Sequence, residues 1–250
     1  NAASALNNIG TAYLRQSIFD KATENYFAGL KLAEKINNAY MTATCLNNIA
    51  TVYFNQNNYN KSLEYQLKAL KIHQAENNNE GMAISYSSIA NTHHNNKDTV
   101  NARKYYQQAL EVYRESENKE GIATVYTNLS LLITGVKQKL DYQLKAQSIW
   151  DELNPGFTTS ITNMGNIAFT YMEIGRTNKA ERNQALQKSK EWLDNSIALS
   201  IQGNDMGNYT FLLGVRSELE AETGNYKNAY YDAKKFHELN DSIYSQENKN

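Results

Sequence analysis

The segment Leu46-Asn47-Asn48-Ile49-Ala50-Thr51-Val52-Tyr53 is one copy of a pattern that recurs at a spacing of 40 residues. Leu6-Asn7-Asn8-Ile9-Gly10-Thr11-Ala12-Tyr13 precedes it, and Tyr86-Ser87-Ser88-Ile89-Ala90-Asn91-Thr92-His93 follows it. A fixed period of this size means an array of small supersecondary units, each buried only against its neighbours. Within the first copy, Leu6, Ile9, Gly10 and Tyr13 stand at i, i+3, i+4, i+7, which places them on one face of a helix. A polar break follows at 15–17, and a second helix begins at Phe19-Asp20 with Ala22, Tyr26, Gly29 and Leu30 on its inner face. The unit is therefore a helix hairpin, with Gly10, Ala22 and Gly29 letting its helices approach. A single proline and 12 glycines in 250 residues argue against an all-β or loop-rich chain.

Six units follow from the period, at about 3–41, 42–81, 82–121, 122–157, 158–203 and 204–250, forming one domain over 1–250. In the fourth, Tyr65-Gln66-Leu67-Lys68-Ala69 returns as Tyr142-Gln143-Leu144-Lys145-Ala146, three residues early, which predicts a shortened inner turn around Gly135. Pro155-Gly156 stops that hairpin's second helix. In the fifth, about nine residues are added over 176–188, expected in a turn on one rim of the array. Gly81 and Gly121, before the third and fourth units, read as helix C-caps. The sixth unit has Glu220 where earlier ones have Tyr13 and Tyr53. Its last helix is unfinished, and 236–250 is expected to run on into a coiled coil. Both ends read as cut points, and the outer face of the first unit is expected to be covered by a segment outside this chain.

The placement of Leu6, Ile9, Gly10, Tyr13, Ala22, Tyr26 and Gly29, and of Leu46, Ile49, Ala50, Tyr53, Ser62, Gln66 and Ala69, resembles the tetratricopeptide repeat. The spacing is longer than that family's usual repeat and is similar to its long-helix subgroup, found in peptide-pheromone receptors, kinesin light chains and signalling adaptors. The resemblance implies an all-α fold, a right-handed α-α superhelix of about six hairpins, that binds protein or peptide segments without catalysis. A narrower likeness covers Asn225-Tyr226-Lys227-Asn228-Ala229 and the run from Ala233 through Phe236 to Tyr244. It resembles the last repeat of bacterial sensory proteins, in which a membrane helix and a histidine kinase or helix-turn-helix regulator lie beyond. That implies the sensor or adaptor part of a signalling protein. The periplasmic side is favoured, with a cytoplasmic place left open.

On the first helix of each unit, the arc opposite the packing face is expected to line a concave groove. Its ladder would be Asn8, Asn48, Ser88, Asn128 and Asn166, beside Thr11, Thr51 and Asn91, with Phe54, His94 and Met172 adding larger surface. A carboxamide offers two donors and an acceptor, so a row of them can pair with a peptide backbone whatever its side chains. Related long-repeat proteins use asparagines in this way. The alternative is that these amides bond neighbouring helices or face water.

His93 and His94 project about 100° apart on a helix and do not chelate one ion together. His93 falls at a core position, and no metal or cofactor is expected. Cys45 reads as an inert buried thiol. The tyrosines 13, 53, 106, 142 and 171 fall at packing positions. Asp232, Lys234 and Lys235 read as a wet helix face.

Lys+Arg number 25 and Asp+Glu 26, so the basic footprint of a nucleic-acid binder is missing. No apolar run is long enough to span a bilayer, so this segment is expected to make no membrane contact, with an anchor left open for the full protein. No nucleophile motif or phosphate loop stands out. Two further readings stay open: a dimerisation scaffold acting through the C-terminal helix, and an enzyme or small-molecule binder.

Overall fold

The computed structural model describes residues 2–247, with side chains as far as 242. Among these residues there are twelve α-helices and no strand. They pair as six hairpins: α1 (Ala2–Arg15) with α2 (Phe19–Lys35), α3 (Ala39–Asn55) with α4 (Tyr59–Ala75), α5 (Asn79–Asn95) with α6 (Thr99–Glu115), α7 (Lys119–Leu131) with α8 (Val136–Leu153), α9 (Thr158–Thr177) with α10 (Arg182–Gln202), and α11 (Met206–Glu222) with α12 (Tyr226–Glu247). The chain divides into two compact units, Asn1–Asn118 and Lys119–Asn250, of three hairpins each. Each unit is an α-α solenoid in which a second helix packs on its partner and on the first helix of the next hairpin.

The turns account for one part of the asparagine content. In the tight turns the middle residue is left-handed: Asn37 at φ +54°, Asn57 at +57°, Asn77 at +51°. Asparagine tolerates that region better than most residues. The next residue caps the following helix. Asn38, Asn58, Asn78, Asp98 and Asp205 each accept the backbone N–H three residues on. Lys97 at +61° and Glu117 at +53° hold the same conformation without that aptitude.

Close helix approach follows from small residues. A Cβ on Gly10 would lie 2.8 Å from the Tyr26 ring, and one on Gly29 would lie 3.2 Å from the Ala3 carbonyl. Tyr26, Leu30, Cys45, Leu46 and Ile49 belong to one buried cluster of the first unit. Burial raises the Cys45 thiol, leaving it in its unreactive form. The packing tyrosines are half-buried and lidded: Lys21 lies 5.3 Å from the Tyr13 ring centre, Lys61 4.9 Å from Tyr53 and Lys188 5.4 Å from Tyr171. Tyr106 is fully buried.

Four expectations are corrected. Gly81 and Gly121 are not C-caps; each lies in the first turn of a helix, and a Cβ on Gly81 would meet the His73 ring at 2.3 Å. The fourth hairpin loses its residues from the end of α7, which has 13, while the segment before α8 keeps four, 132–135. The residues added near 176–188 form helix rather than turn, since α9 has 20 residues and α10 has 21, against 17 in α3 to α6. Asp232 is not simply wet: it takes both the Arg216 Nε and Nη2 hydrogen bonds at 2.7 Å. The coiled-coil reading of 236–250 meets a continuous helix to Glu247, and 248–250 lie outside the described residues.

Candidate functional site

The repeat places one side chain per hairpin at the same point of each first helix. In the first unit these are Asn8, Asn48 and Ser88. Asn8 is exposed, and Asn48 and Ser88 are half-buried. Asn48 Nδ2 donates to Asn7 Oδ1 at 2.7 Å, a bond from α3 to α1. It fixes the Asn48 amide and leaves its Oδ1 without a partner among the described residues. Asn7 itself is buried and lies outside the set of groove candidates. The signal was present: Asn7 and Asn47 repeat beside the ladder residues.

The residues flanking the ladder are more committed to the fold. Thr11 Oγ1 donates to the Asn7 carbonyl at 3.0 Å and accepts from the Tyr26 hydroxyl at 3.1 Å. Asn91 Oδ1 accepts from the Tyr106 hydroxyl. Thr51 Oγ1 donates to the Asn47 carbonyl at 3.0 Å and stays exposed. Phe54 is half-buried edge-on to Tyr59, with ring centres 5.8 Å apart. His94 is half-exposed, and its ring has no bonded partner among the described residues. His93 turns inward, stacked 5.5 Å from Tyr105, with Nδ1 3.1 Å from Asp98 Oδ2. Hydrogen bonds from the Asn101 side chain and backbone N–H, with His93 nearby, hold the Asp98 carboxyl below the ordinary range.

In the second unit Asn128 and Asn166 hold the ladder positions. Both are half-buried, and neither side chain has a bonded partner among the described residues. Met172 does not belong to this surface. It is 0% exposed and sits in the core with Leu193 and Leu212, so it offers nothing to a ligand. The lengthened α9 gives residues after Ala168 a different environment from Phe54 and His94, which one-dimensional alignment does not register.

The exposed part of the ladder is uncharged. It supplies donors and acceptors but no pre-formed ion site. Among the described residues no group of three His, Cys, Asp or Glu side chains is gathered as a metal site, and no helix is long and apolar enough to cross a membrane.

Residues 42–80 and 81–132 match two models described as tetratricopeptide repeat. No curated protein matches the chain by sequence. Among solved structures, BtubC (BKLC) from P. vanneervenii superposes with a TM-score of 0.71 at 12% identity, over 92% of this chain and 91% of that one. A Rap protein complexed with competence and sporulation factor gives 0.58 at 18% identity, over 96% and 75%. A signal-transduction ATPase with a tetratricopeptide repeat sensor, from Pyrococcus horikoshii, gives 0.70 at 17% identity, over 99% of this chain and 38% of that one. At these identities the likeness is one of fold. Residues 42–132 are tetratricopeptide repeats by sequence, and the chain as a whole has the tetratricopeptide-repeat fold.

Proposed function

We propose that residues 1–250 act as one non-catalytic recognition domain that holds an extended peptide or protein segment along its first helices. The observation that carries this reading is the set of equivalent amides left without full partners, at Asn8, Asn48, Asn128 and Asn166. Half-buried carboxamides normally find bonds within the fold, so the spare groups at the same helix position, Asn48 in the first unit and Asn128 and Asn166 in the second, are available to a ligand. A ladder amide pairs with peptide backbone N–H or C=O and leaves side chains to the flanking Thr51, Phe54 and His94. The Rap neighbour is complexed with competence and sporulation factor, and the ATPase neighbour carries its repeats as a sensor, which supports a sensory or adaptor role.

The test uses a peptide selected from a random library against the 1–250 chain. N-methylating its backbone at the contacted positions should weaken binding at least tenfold, a bond's worth of free energy. Alanine substitution of most of its side chains should cost less. The reverse order would overturn backbone recognition.

A dimerisation scaffold is the second reading. Among the described residues α12 has no fully buried side chain, and Tyr226, Tyr230 and Tyr231 stand exposed on it. Light scattering decides: a constant dimer mass, unchanged by the selected peptide, favours the scaffold.

A further inference from the structure

In the first unit the ladder lies within a wider stripe. On α3 that face carries Thr44, Asn47, Asn48, Thr51, Phe54 and Asn55, each half-buried or exposed. The counterparts are 84, 87, 88, 91, 94 and 95 on α5, all reaching water, and 4, 7, 8, 11, 14 and 15 on α1, where only Asn7 is buried. The bond from Asn48 to Asn7 ties the stripe of α3 to that of α1. Of these eighteen positions, Arg15, the last residue of α1, is the one Asp, Glu, Lys or Arg. None of those four residue types occurs anywhere from 36 to 60. A well-solvated protein surface is about a quarter to a third charged. The second helices carry charge on that scale: α2 alone has Asp20, Lys21, Glu24, Lys31, Glu34 and Lys35.

Burial does not account for the gap, because every side chain of the stripe but Asn7 reaches water. The repeat does not forbid charge there either. In the register that equates Asn48 with Asn166, Glu173 of α9 is the counterpart of Asn55. In the register that equates the caps Asn38 and Asp205, Glu218 and Glu222 of α11 are the counterparts of Thr51 and Asn55. Each of these carboxylates has a cation: Lys139 lies 2.8 Å from Glu173, and Arg176 bonds both Glu218 and Glu222. The same helix positions thus carry charge in the second unit, where a counter-charge answers it.

What the first unit presents instead is neutral donors and acceptors. The Thr44 and Thr51 hydroxyls give their protons to the Tyr40 and Asn47 carbonyls, at 2.9 and 3.0 Å, and keep lone pairs for an incoming donor. Asn91 takes the Tyr106 hydroxyl on Oδ1 and keeps its amide N–H groups for an incoming acceptor. A carboxamide or hydroxyl side chain meets both kinds without carrying charge. A charged side chain would shed water against a surface that returns no counter-charge.

We infer that the stripe of the first unit selects a peptide segment free of charged side chains and rich in Asn, Gln, Ser and Thr. The inference rests on the peptide recognition proposed above and adds the class of side chain accepted.

The experiment selects a random twelve-residue display library, all twenty residues equally frequent, against the 1–250 chain at pH 8, where an ordinary imidazole is neutral. Asp, Glu, Lys and Arg should fall at least threefold in frequency in the enriched peptides. The affinity of the strongest peptide should change less than about twofold between 0.05 and 0.5 M salt. Glu and Lys are then scanned through its six central positions, and each should weaken binding, by about tenfold where the residue replaced is an amide or hydroxyl. Thr51→Glu places the test on the stripe, and Glu218 at the same position of α11 shows that the substitution suits the fold. With its melt unchanged, this variant should bind one of the Lys-bearing peptides at least tenfold tighter than the wild type does. Enrichment of charged residues, affinity that falls with salt, or no such gain in Thr51→Glu would each overturn the inference. Those outcomes are independent of the N-methylation result, which tests backbone pairing alone; failure to enrich any peptide would overturn both.

Discussion

His73 shows how one residue couples packing to pH. It is buried at the end of α4, its ring filling the space left by Gly81, with Asn78 Nδ2 3.4 Å from Nδ1. Adding a methyl group at Gly81 forces that ring to move, and overpacking of this kind costs about 1–3 kcal/mol. Gly81→Ala should therefore lower the melting temperature by several degrees, and an unchanged melt would contradict the close approach. Burial also holds the His73 imidazole below its ordinary 6.5. The unfolded chain then takes the proton more readily than the folded one, so stability falls as pH drops through 6.5 and below. Urea midpoints at pH 7.5 and 5.5 should fall further in the wild type than in His73→Gln. An equal fall in both would remove His73 as the cause.

At the scale of helices and turns, the chain's own repeats serve as controls. Where the left-handed turn residue is Asn37, Asn57 or Asn77 the sequence suits the conformation; Lys97 does not. Lys97→Asn should stabilise the protein by up to about 1 kcal/mol, read as a higher urea midpoint with unchanged slope. The hairpins were legible because the positions of Leu46, Ile49, Ala50 and Tyr53 recur at helical spacing in the early units, as Leu6, Ile9, Gly10 and Tyr13 and as Tyr86, Ile89, Ala90 and His93. Their lengths were less so. A period counts residues between landmarks, and it cannot say whether an insertion near 176–188 joins a turn or continues a helix. That choice rests on α9 and α10 packing along their added turns, a tertiary effect. Gly81 misled for a similar reason: glycine suits a C-cap locally, but here it makes room for a ring from the preceding helix.

Across the molecule, burial depends on having a neighbour on both sides. Ile9 is 45% exposed, whereas its equivalents Ile49 and Ile89 are 0% exposed. In a one-dimensional array a hairpin with one neighbour opens more readily than one with two. Measured on the 1–250 chain by itself, amide hydrogen exchange should thus be faster over α1 than over α5, and equal protection would contradict that hierarchy. The candidate site was legible only in outline. The wheel placed Asn8, Asn48, Asn128 and Asn166 off the packing face, but it did not show that Thr11 and Asn91 are held by Tyr26 and Tyr106, or that Met172 is interior. Those outcomes turn on reach from the neighbouring helix, which no single-helix projection contains. The central claim is that the ladder amides hold the ligand, and the most direct test is the affinity of Asn48→Ala with Asn128→Ala for the selected peptide. With circular dichroism and melting unchanged, the double variant should bind at least tenfold more weakly than the wild type; equal affinity would contradict the account.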